Sequence, residues 1–425
     1  FKMLATVYPS FAQGAVEAPP SKSMAHRAII CACLADGESV IRRVAASDDV
    51  NATIGAMEAL GAVISRTGDT LKIRGTGGVP RLSGCEIDCA ESGSTLRFLI
   101  PLFSLAGCPV VYRGRGRLME RPQDVYASLF EKQGARFFQK EGALFQEGAL
   151  KGGRLTVRGD VSSQFVTGLL LALPLLKEDS VIEIQPPFES RPYVLLTLQV
   201  LRDFGVNAWF EERDTLVIPG GQRYQSTAYT VEGDYSQLAF FAVRGAIGAK
   251  TACRGVRPDS MQGDRAICSI LRTAGACVEI SDGGVTVSPG ELCGKDIDLA
   301  DCPDLGPVLM AFAAFCEGET RILHAGRLRM KESDRIAAME AELKKLGVRI
   351  ASTADTVTVS GRKPMEKPVT VCGHGDHRIA MSLAVFASAA EQPVCIKGAE
   401  CVNKSYPDFF EALRRAGVRV ECEAV

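Results

Sequence analysis

Several residue types on which particular functions depend are scarce in this sequence of 425 residues. Only four histidines are present, and the 15 cysteines show no paired C-x-x-C spacing, so a zinc site is poorly supported. We expect the cysteines to be reduced and mostly buried, as in a cytosolic protein. No apolar run reaches the ~18 residues that a membrane-spanning helix needs, and the first residues lack the basic-then-apolar pattern of a secretion signal.

An excess of charge of one sign is also missing, because 49 lysines and arginines face 50 aspartates and glutamates, for a net charge of −1. The protein as a whole therefore has no basic field that would attract nucleic acid, and basic residues matter only where they cluster. The composition, 46% hydrophobic and 23% charged, is that of an ordinary globular protein. At about 100–200 residues per domain, the length suffices for two or more domains.

A sixfold internal repeat is present in the chain. A helix-like segment that ends in glycine and is followed by a strand-like run recurs six times, at intervals of 73, 71, 70, 72 and 70 residues. Glycine is the expected residue at such a helix C-terminus, because it adopts the left-handed conformation without a Cβ penalty. The six glycines are Gly61, Gly134, Gly205, Gly275, Gly347 and Gly417.

Each repeat contains a second helix-like segment that is apolar on nearly all sides and is therefore predicted to be buried. Small polar or acidic residues, typical of helix N-caps, precede each one. Since a single core stops growing near ~250–300 residues, we predict two domains of three α/β units each. If the buried helices run parallel, their positive N-terminal ends line a cleft between the domains, which predicts an anionic ligand there. The six segments are 24–34, 95–105, 164–173, 237–247, 307–315 and 378–386.

The stretch 327–335, RLRMKESDR, places four cations and two carboxylates in nine residues. It lies between a predicted strand at 320–323 and a predicted helix at 336–346, a corner where loops carry functional side chains and helix N–H groups bind anions. A solvated surface loop is the plainer interpretation of such a run. Glu332 favours a site instead, because a carboxylate among cations can act as an acid or base beside an anionic ligand.

Other motifs place charged and small residues at the start of predicted buried helices. PSKSMAHR puts Lys22 and Arg27 there, a pair suited to phosphate and carboxylate, although a plain capped helix explains this motif equally well. ESGSTLR contains Gly93, whose missing side chain allows a ligand to approach the backbone closely. Asp304, just before the segment 307–315, is either a helix N-cap or a general base.

Eight motifs in the same order resemble those of the EPSP synthase family, the 5-enolpyruvylshikimate-3-phosphate synthases of aromatic amino-acid biosynthesis. They are PSKSMAHR, SGSTLR, MERP, SSQF, SRPY, MKESDR, GDHR and NKSYPDFF, and they span essentially the whole chain. The resemblance implies an α/β fold, a two-domain inverse α/β barrel of six βαβαββ-type units with the buried helix N-termini facing the cleft. It also implies two crossovers, giving domain 1 as 1–18 and 234–425 and domain 2 as 19–233.

The resemblance further implies a reaction and a set of ligands. The enolpyruvyl group of phosphoenolpyruvate moves to the 5-hydroxyl of shikimate 3-phosphate, and phosphate leaves, without a metal or organic cofactor. A cytoplasmic monomer with no nucleic-acid or membrane partner is expected. The residues implied for shikimate 3-phosphate are Lys22, Ser23, Arg27, Ser162, Ser163, Gln164, Ser190, Tyr193, Asp304 and Lys331. Those implied for phosphoenolpyruvate are Lys22, Gly93, Ser94, Arg121, Gln164, Arg335, Arg378 and Lys404.

Three residues receive catalytic roles from the resemblance. Asp304 is the expected base for the 5-hydroxyl, Glu332 the acid that protonates the methylene carbon of phosphoenolpyruvate, and Lys22 the group that assists the leaving phosphate. Two alternatives remain open. A UDP-N-acetylglucosamine enolpyruvyl transferase resembles this fold but uses a cysteine in an Arg-rich loop, and the loop 113–121 has none. A non-catalytic anion-binding protein of the same fold would not need both carboxylates.

Two positions depart from the family pattern. Glu91 and Arg327 stand where the family often has asparagine. Glu91 would repel a carboxylate if it pointed into the pocket, whereas Arg327 would strengthen anion binding. These departures concern substrate geometry and not the class of reaction. Because Gly93 has no side chain, the resemblance also predicts sensitivity to glyphosate, which competes for the phosphoenolpyruvate space.

Overall fold

The structure, a computed structural model, describes residues 2–424. The chain divides into two compact units, which we call unit 1 (up to Ser21, and from Glu232 onward) and unit 2 (Lys22–Val231). The boundaries predicted from the sequence, 18/19 and 233/234, differ from these by two or three residues. No helix among residues 2–424 combines the length and the apolar character that crossing a membrane requires.

Short strands alternate with helices along the described chain. The 24 strands within residues 2–424 are β1 Met3–Val7, β2 Gly14–Glu17, β3 Glu38–Arg42, β4 Val63–Thr67, β5 Thr70–Arg74, β6 Cys85–Asp88, β7 Val110–Arg113, β8 Arg136–Lys140, β9 Ala143–Glu147, β10 Gly153–Arg158, β11 Ser180–Gln185, β12 Trp209–Glu212, β13 Thr215–Ile218, β14 Ala228–Thr230, β15 Thr251–Arg254, β16 Cys277–Ser281, β17 Gly284–Ser288, β18 Asp296–Asp298, β19 Thr320–Leu323, β20 Val348–Ser352, β21 Val357–Arg362, β22 Val369–Cys372, β23 Val394–Lys397 and β24 Val420–Ala424.

The helices fall into the buried and the outer class that the sequence predicts. The 12 α-helices within the described chain are α1 Lys22–Leu34, α2 Asp48–Ala59, α3 Gly93–Phe103, α4 Asp124–Lys132, α5 Ser163–Ala172, α6 Arg191–Asp203, α7 Tyr235–Ile247, α8 Ala266–Thr273, α9 Gly306–Ala313, α10 Arg335–Lys345, α11 His377–Ser388 and α12 Phe409–Arg415.

One sheet design is repeated six times among the described residues, three times in each unit. Unit 1 contains the orders β22-β23-β1-β24, β2-β15-β17-β16 and β18-β19-β21-β20, and unit 2 contains β14-β3-β5-β4, β6-β7-β9-β8 and β10-β11-β13-β12. In each order the first pair is parallel and the other two are antiparallel. The predicted α/β class with six similar units is therefore confirmed.

The buried helices lie in the two hydrophobic cores, α7, α9 and α11 in unit 1 and α1, α3 and α5 in unit 2. All 12 residues of α11 are buried, as expected for a helix that is apolar all round. In unit 2, Gly168 of α5 lies directly against α3, since a Cβ there would be 2.3 Å from the carbonyl oxygen of Arg97. Only glycine permits this approach of the two backbones.

Local capping sets the start of four of the six buried helices. Ser92, Ser162, Asp234 and Asp376 are the N-cap residues of α3, α5, α7 and α11, and each side chain accepts a hydrogen bond from a backbone N–H two or three residues later. These caps were predicted. Asp304 differs, because it lies in the 3-10 turn Pro303–Leu305 and does not cap α9. Its carboxylate is therefore available for other contacts.

The cysteines are all free thiols, and eight of the 15 are buried. Burial raises the pKa of Cys268, for example, to about 11, so this thiol stays protonated at neutral pH. Among residues 2–424 no three or more His, Cys, Asp or Glu side chains come together in a way that could hold a metal ion.

Candidate active site

Lys22 stands at the start of α1 in unit 2 and is held by a carboxylate. Its Nζ lies 2.6 Å from Oδ2 of Asp49, and both side chains are largely buried. Asp49 belongs to the first turn of α2, which Ser47 caps. The ion pair fixes the position of the ammonium group. The sequence predicted a role for Lys22 but not for Asp49. The only local feature of Asp49 is that it follows Asp48 in the first turn of a helix capped by Ser47.

Arg27, one turn further along α1, is a buried cation with neutral partners. It is 2% exposed, and its guanidinium donates to Oγ1 of Thr197 at 2.8 Å and to the carbonyl of Ser23 at 2.6 Å. It also lies 4.9 Å from the ring centre of Phe98. Burial is the main cause that lowers the pKa of Arg27 to about 10. No carboxylate of residues 2–424 pairs with it, so an anionic ligand nearby would offset its desolvation.

A hydrogen-bonded bridge joins the N-terminal ends of α3 and α5. Nε2 of Gln164 donates to Oγ of Ser94 at 3.1 Å, and Oε1 of Gln164 accepts from Nη1 of Arg97 at 3.0 Å. The Ser162 hydroxyl accepts from the backbone N–H of Gln164 at 3.3 Å. The predicted residues Ser94, Ser162 and Gln164 are thus brought together. Arg97, which stacks on Phe165, was not predicted.

Arg121 follows the 3-10 turn Leu118–Glu120, and its guanidinium packs directly against Gly93. A Cβ built on Gly93 would be 2.6 Å from Nη1 of Arg121. Arg121 is 8% exposed, yet its Nε has no hydrogen-bond partner among residues 2–424, and no carboxylate of that range pairs with it. A buried guanidinium in this state is a ready site for an anion.

The remaining predicted residues of unit 2 lie at the starts of α5 and α6. Ser163 opens α5 and is mostly buried, and Ser190 precedes α6 with a left-handed backbone, φ 59°. Tyr193 in the first turn of α6 places its carbonyl oxygen 3.3 Å from Nη2 of Arg27. The candidate residues of unit 2 therefore gather at the N-terminal ends of α1, α3, α5 and α6. We call Lys22, Arg27, Ser94, Arg121 and Gln164 the unit 2 cluster.

Behind the unit 2 cluster, a chain of polar groups ties three helices together. Nδ1 of His26 lies 2.7 Å from Oγ1 of Thr53, which lies 2.7 Å from Oγ1 of Thr95, which donates to Ser92 at 2.7 Å. Burial, the largest cause, lowers the pKa of His26 well below its usual value, so the ring is neutral. Sequence reasoning did not identify this chain, because its members are each unremarkable polar residues of a helix.

Asp304 is the centre of the corresponding group in unit 1. Its Oδ1 lies 3.1 Å from Nη1 of Arg335 and 3.6 Å from Nζ of Lys331, and its Oδ2 lies 3.2 Å from Nη2 of Arg378. Burial alone raises the pKa of Asp304, but Arg378, Lys331 and Arg335 outweigh it, and the net shift is far downward. Asp304 is therefore ionised at neutral pH.

Arg335 joins Asp304 to two further carboxylates. The side chain is 1% exposed, Nη2 donates to Oε2 of Glu332 at 2.7 Å, and Nε donates to Oδ2 of Asp376 at 2.9 Å. Burial raises the pKa of Asp376, but Arg335 reverses the shift, and the pKa is lowered. Arg335 was predicted to bind phosphoenolpyruvate, and the structure places it as the bridge between the two predicted catalytic carboxylates. Asp376 was predicted only as a cap.

Arg378 and Lys404 complete this side. Nη2 of Arg378 donates to Oγ of Ser236 at 2.6 Å, which links the start of α11 to the start of α7. Nζ of Lys404 donates to the carbonyl of Gly375, just before α11, at 2.7 Å. The N-terminal ends of α7, α9 and α11 therefore meet in unit 1. We call Asp304, Lys331, Glu332, Arg335 and Arg378 the unit 1 cluster.

The charged stretch 327–335 divides into two groups. Lys331, Glu332 and Arg335 belong to the unit 1 cluster. Arg329 instead holds Asp334 at 3.1 Å, and Asp334 caps α10, so this pair stabilises the strand-to-helix corner.

The two departures from the family pattern are also placed by the structure. Nη2 of Arg327 donates to the carbonyl of Ala300 at 2.7 Å. Glu91 packs on the turn at Gly116, where a Cβ would lie 2.8 Å from its Oε2.

Comparison with known proteins identifies the fold and the family. The enolpyruvyl transferase NikO from Streptomyces tendae matches the chain with a TM-score of 0.76 at 16% identity, covering 100% of this chain and 99% of that one. The protein thus has the fold of the enolpyruvyl transferases. An EPSP synthase from Acinetobacter baumannii matches with a TM-score of 0.82 at 26% identity, over the whole of both chains.

The sequence comparison is more specific. The family model for EPSP synthase (3-phosphoshikimate 1-carboxyvinyltransferase) matches residues 8–413. A 3-phosphoshikimate 1-carboxyvinyltransferase of Clostridium kluyveri is 43% identical over 418 residues, which is 98% of each chain. The chain therefore belongs to the EPSP synthase family.

Proposed function

We propose that the protein is a carboxyvinyl transferase that moves the enolpyruvyl group of phosphoenolpyruvate to the 5-hydroxyl of shikimate 3-phosphate and releases phosphate. The observation that carries the proposal is the arrangement of Asp304 and Glu332, which Arg335 bridges at 3.1 Å and 2.7 Å. An addition followed by an elimination needs one base and one acid beside anionic substrates, and we assign the carboxyl groups of Asp304 and Glu332 to these two roles. The family membership and the name of the 43% identical relative support the same reaction.

We propose that the unit 2 cluster contributes to the binding of the two anionic substrates. Arg27 and Arg121 are buried cations without a carboxylate partner among the described residues, so each gains from a phosphate or carboxylate ligand. We assign shikimate 3-phosphate to the side of Arg27 with Ser23, Ser162, Ser163, Gln164, Ser190 and Tyr193. In unit 2 we assign phosphoenolpyruvate to the side of Arg121 with Gly93 and Ser94. The family resemblance adds Arg335, Arg378 and Lys404 of unit 1 as residues for the same ligand.

The two carboxylates take the protons that the reaction moves. In the addition, Asp304 accepts the 5-hydroxyl proton, the hydroxyl oxygen bonds to C2 of phosphoenolpyruvate, and Glu332 donates a proton to C3. In the elimination, Glu332 takes a proton back from C3, the bond from C2 to the phosphate oxygen breaks, and the leaving phosphate takes up the proton that Asp304 accepted, so both carboxyl groups return to their starting states. Lys22, fixed by Asp49, stabilises the charge on the departing phosphate. Each acid or base contributes about 10²–10⁴-fold to the rate.

To act as a base, Asp304 must become more basic than its cationic neighbours in unit 1 allow. Its pKa is held low because Arg378, Lys331 and Arg335 surround it, despite burial. Bound substrate anions would share these cations and so weaken their hold on the carboxylate. We propose that substrate binding thereby raises the pKa of Asp304 and activates it as a base only in the loaded enzyme.

The test is phosphate release from purified protein given both substrates, with each substrate alone as a control and no added metal. We expect release only with both, and a loss of about 10²–10⁴-fold in kcat for Glu332→Gln with little change in KM. Glu319→Gln, at an exposed position beside β19, should behave like the wild type. Full activity in Glu332→Gln would refute its role as the acid.

The two alternatives are separated by the same assay. Release with UDP-N-acetylglucosamine as the acceptor would indicate the other enolpyruvyl transferase, which the family match does not favour. Tight binding of anions without release would indicate a non-catalytic protein. We further propose a cytoplasmic monomer that uses no cofactor and binds neither nucleic acid nor membrane, and light scattering of the purified protein tests the oligomeric state.

A further inference from the structure

Asp264 is a buried carboxyl that the proposed reaction leaves without a role. It lies in the 3-10 turn Gly263–Arg265 before α8 and is 3% exposed. Its carboxyl is hydrogen-bonded to the side chain of Ser236. Oγ of Ser236 accepts a 2.6 Å hydrogen bond from Nη2 of Arg378, and that nitrogen is 3.2 Å from Oδ2 of Asp304. A continuous series of contacts therefore joins Asp264 to the proposed base.

The chemistry of a hydroxyl gives this series a direction. Ser236 has one O–H donor and two acceptor lone pairs. Since Arg378 can only donate, Ser236 must accept from it, and its own proton is then directed to Asp264. Asp264 thus orients Ser236, and Ser236 orients the guanidinium of Arg378.

We propose that Asp264 is a positioning residue that acts through Ser236 on Arg378, and that it takes up a proton when an anionic ligand binds beside Arg378. The proposal rests on the proposed function, because that function places the anionic substrates at Arg378 and Asp304. Besides this positioning role, Asp264 has a second effect, because its ionised form opposes the binding of anions beside Arg378.

The surroundings of Asp264 allow it to exchange a proton near neutral pH. Burial is the largest cause and, with the charge of Asp304, raises the pKa of Asp264 to about 7, against the opposing effect of Arg378. The neighbouring thiol of Cys302 is neutral, because burial raises its pKa strongly. The polar and titratable groups that face Asp264 are Asp304, Arg378, Ser236, Asp234 and Cys302.

An anion beside Arg378 changes this balance. It adds negative charge near Asp264 and draws on the same cation, so the protonated form of Asp264 is favoured in the complex. By linkage, anions bind more weakly as the pH rises and Asp264 ionises. Ser236 and Arg378 separate the anion from the carboxyl of Asp264. An interaction between unit charges across these two side chains is worth about three- to tenfold in affinity at an effective dielectric constant near 20–40.

The experiment measures KM for phosphoenolpyruvate at saturating shikimate 3-phosphate between pH 6 and 8.5. Asp264→Asn retains an oxygen that accepts from Ser236 but cannot ionise, whereas Asp264→Ala removes both functions. Asp259→Asn is the matched control, since Asp259 lies in the same segment and its side chain is 71% exposed. Thermal unfolding of every variant identifies those that fail to fold.

We expect KM of the wild type and Asp259→Asn to rise about three- to tenfold more across this range than KM of Asp264→Asn, so that Asp264→Asn has the lower KM at pH 8.5. Titration of phosphoenolpyruvate by calorimetry in two buffers at pH 7.5, without shikimate 3-phosphate so that no turnover occurs, should show a proton uptake in the wild type that Asp264→Asn lacks. Asp264→Ala and Ser236→Ala should each lower kcat/KM about tenfold, and the double variant should be no worse than either single one.

Each outcome bears on the proposal. Equal pH dependence and equal proton uptake in wild type and Asp264→Asn would refute the proton exchange, and additive losses in the double variant would refute the route through Ser236. If Asp264→Asn does not fold, equal losses in Asp264→Ala and Ser236→Ala still decide the route. If the wild type itself has no activity with these substrates, the proposed function fails, which is a different result from an active wild type with unaltered variants.

Discussion

Replacement of Gly93 by alanine tests the pocket in unit 2 directly. A Cβ at this position would lie 2.6 Å from Nη1 and 2.8 Å from Cζ of Arg121. To reach the ordinary contact distance of 3.4 Å, the guanidinium must retreat by about 0.8 Å. The end of a long side chain can make such a shift, so we expect Gly93→Ala to fold normally with Arg121 displaced.

The displacement has a defined cost in binding. A misplacement of roughly 1 Å in a positioning group costs on the order of 10²-fold, so we expect KM for phosphoenolpyruvate to rise about ten- to hundredfold. KM for shikimate 3-phosphate, which we assign to the side of Arg27, should stay within about twofold. The concentration of glyphosate that inhibits the enzyme should rise in parallel with the phosphoenolpyruvate KM, because both ligands were predicted to occupy this space.

Phosphate release at saturating shikimate 3-phosphate is the assay. Gly55→Ala provides the matched control, because Gly55 is an exposed glycine inside α2 and a Cβ there meets nothing within 4 Å. It should leave both KM values unchanged and stabilise the helix by up to about 1 kcal/mol. Unaltered phosphoenolpyruvate KM and unaltered glyphosate inhibition in Gly93→Ala would show that the pocket has been assigned to the wrong residues.

Two further predictions concern buried charges. Arg121→Met should raise KM for phosphoenolpyruvate about ten- to hundredfold. The free energy of urea unfolding should stay the same or rise, because the variant lacks a buried cation that has no carboxylate partner among residues 2–424. Arg113→Met, at the exposed ion pair in β7, should alter neither quantity. Asp376→Asn should lower the free energy of unfolding by about 3–5 kcal/mol at pH 7, because Arg335 loses a buried partner. Arg335 outweighs burial and lowers the pKa of Asp376 in the folded protein. The contribution of Asp376 to stability is therefore fully present above its pKa in the unfolded chain, near ~4, and is lost as the pH falls from there through the lower folded pKa. The wild type and the variant should thus have similar stabilities in acid. A difference that persists unchanged at low pH would contradict this account.

The six repeats could be predicted from the sequence because they depend on local features, namely helix-ending glycines, helix caps and hydrophobic periodicity. The six glycines predicted to end the outer helices all have positive φ, for example 113° at Gly61 and 88° at Gly417. The predicted strand at 320–323 is observed as β19 with those bounds, and the predicted helix at 336–346 is observed as α10 within one residue. Helix caps and periodicity depend on neighbours a few residues apart, which is why the sequence alone predicted them.

Partners that come together only in the folded chain could not be predicted in this way. Asp49 is 27 residues from Lys22, and Asp376 is 41 residues from Arg335. Nothing in the local pattern of either aspartate distinguishes an ion-pair partner from a solvated residue or a cap. The same limit applied to Asp264, which sequence reasoning did not single out. The motifs predicted which side chains act, whereas the groups that hold them in place required the structure.

The position of β1 has a consequence for the synthesis of the protein on the ribosome. β1 lies between β23 and β24, so a strand that precedes unit 2 in the chain belongs to a sheet whose other strands all follow unit 2. Unit 2 is one continuous segment and has all of its strands once residue 231 has emerged. Unit 1 must wait for the rest of the chain, about 10–40 s at translation rates of about 5–20 residues per second. During that interval β1 lacks its partner strands, and an unpaired strand edge favours aggregation of the nascent chain.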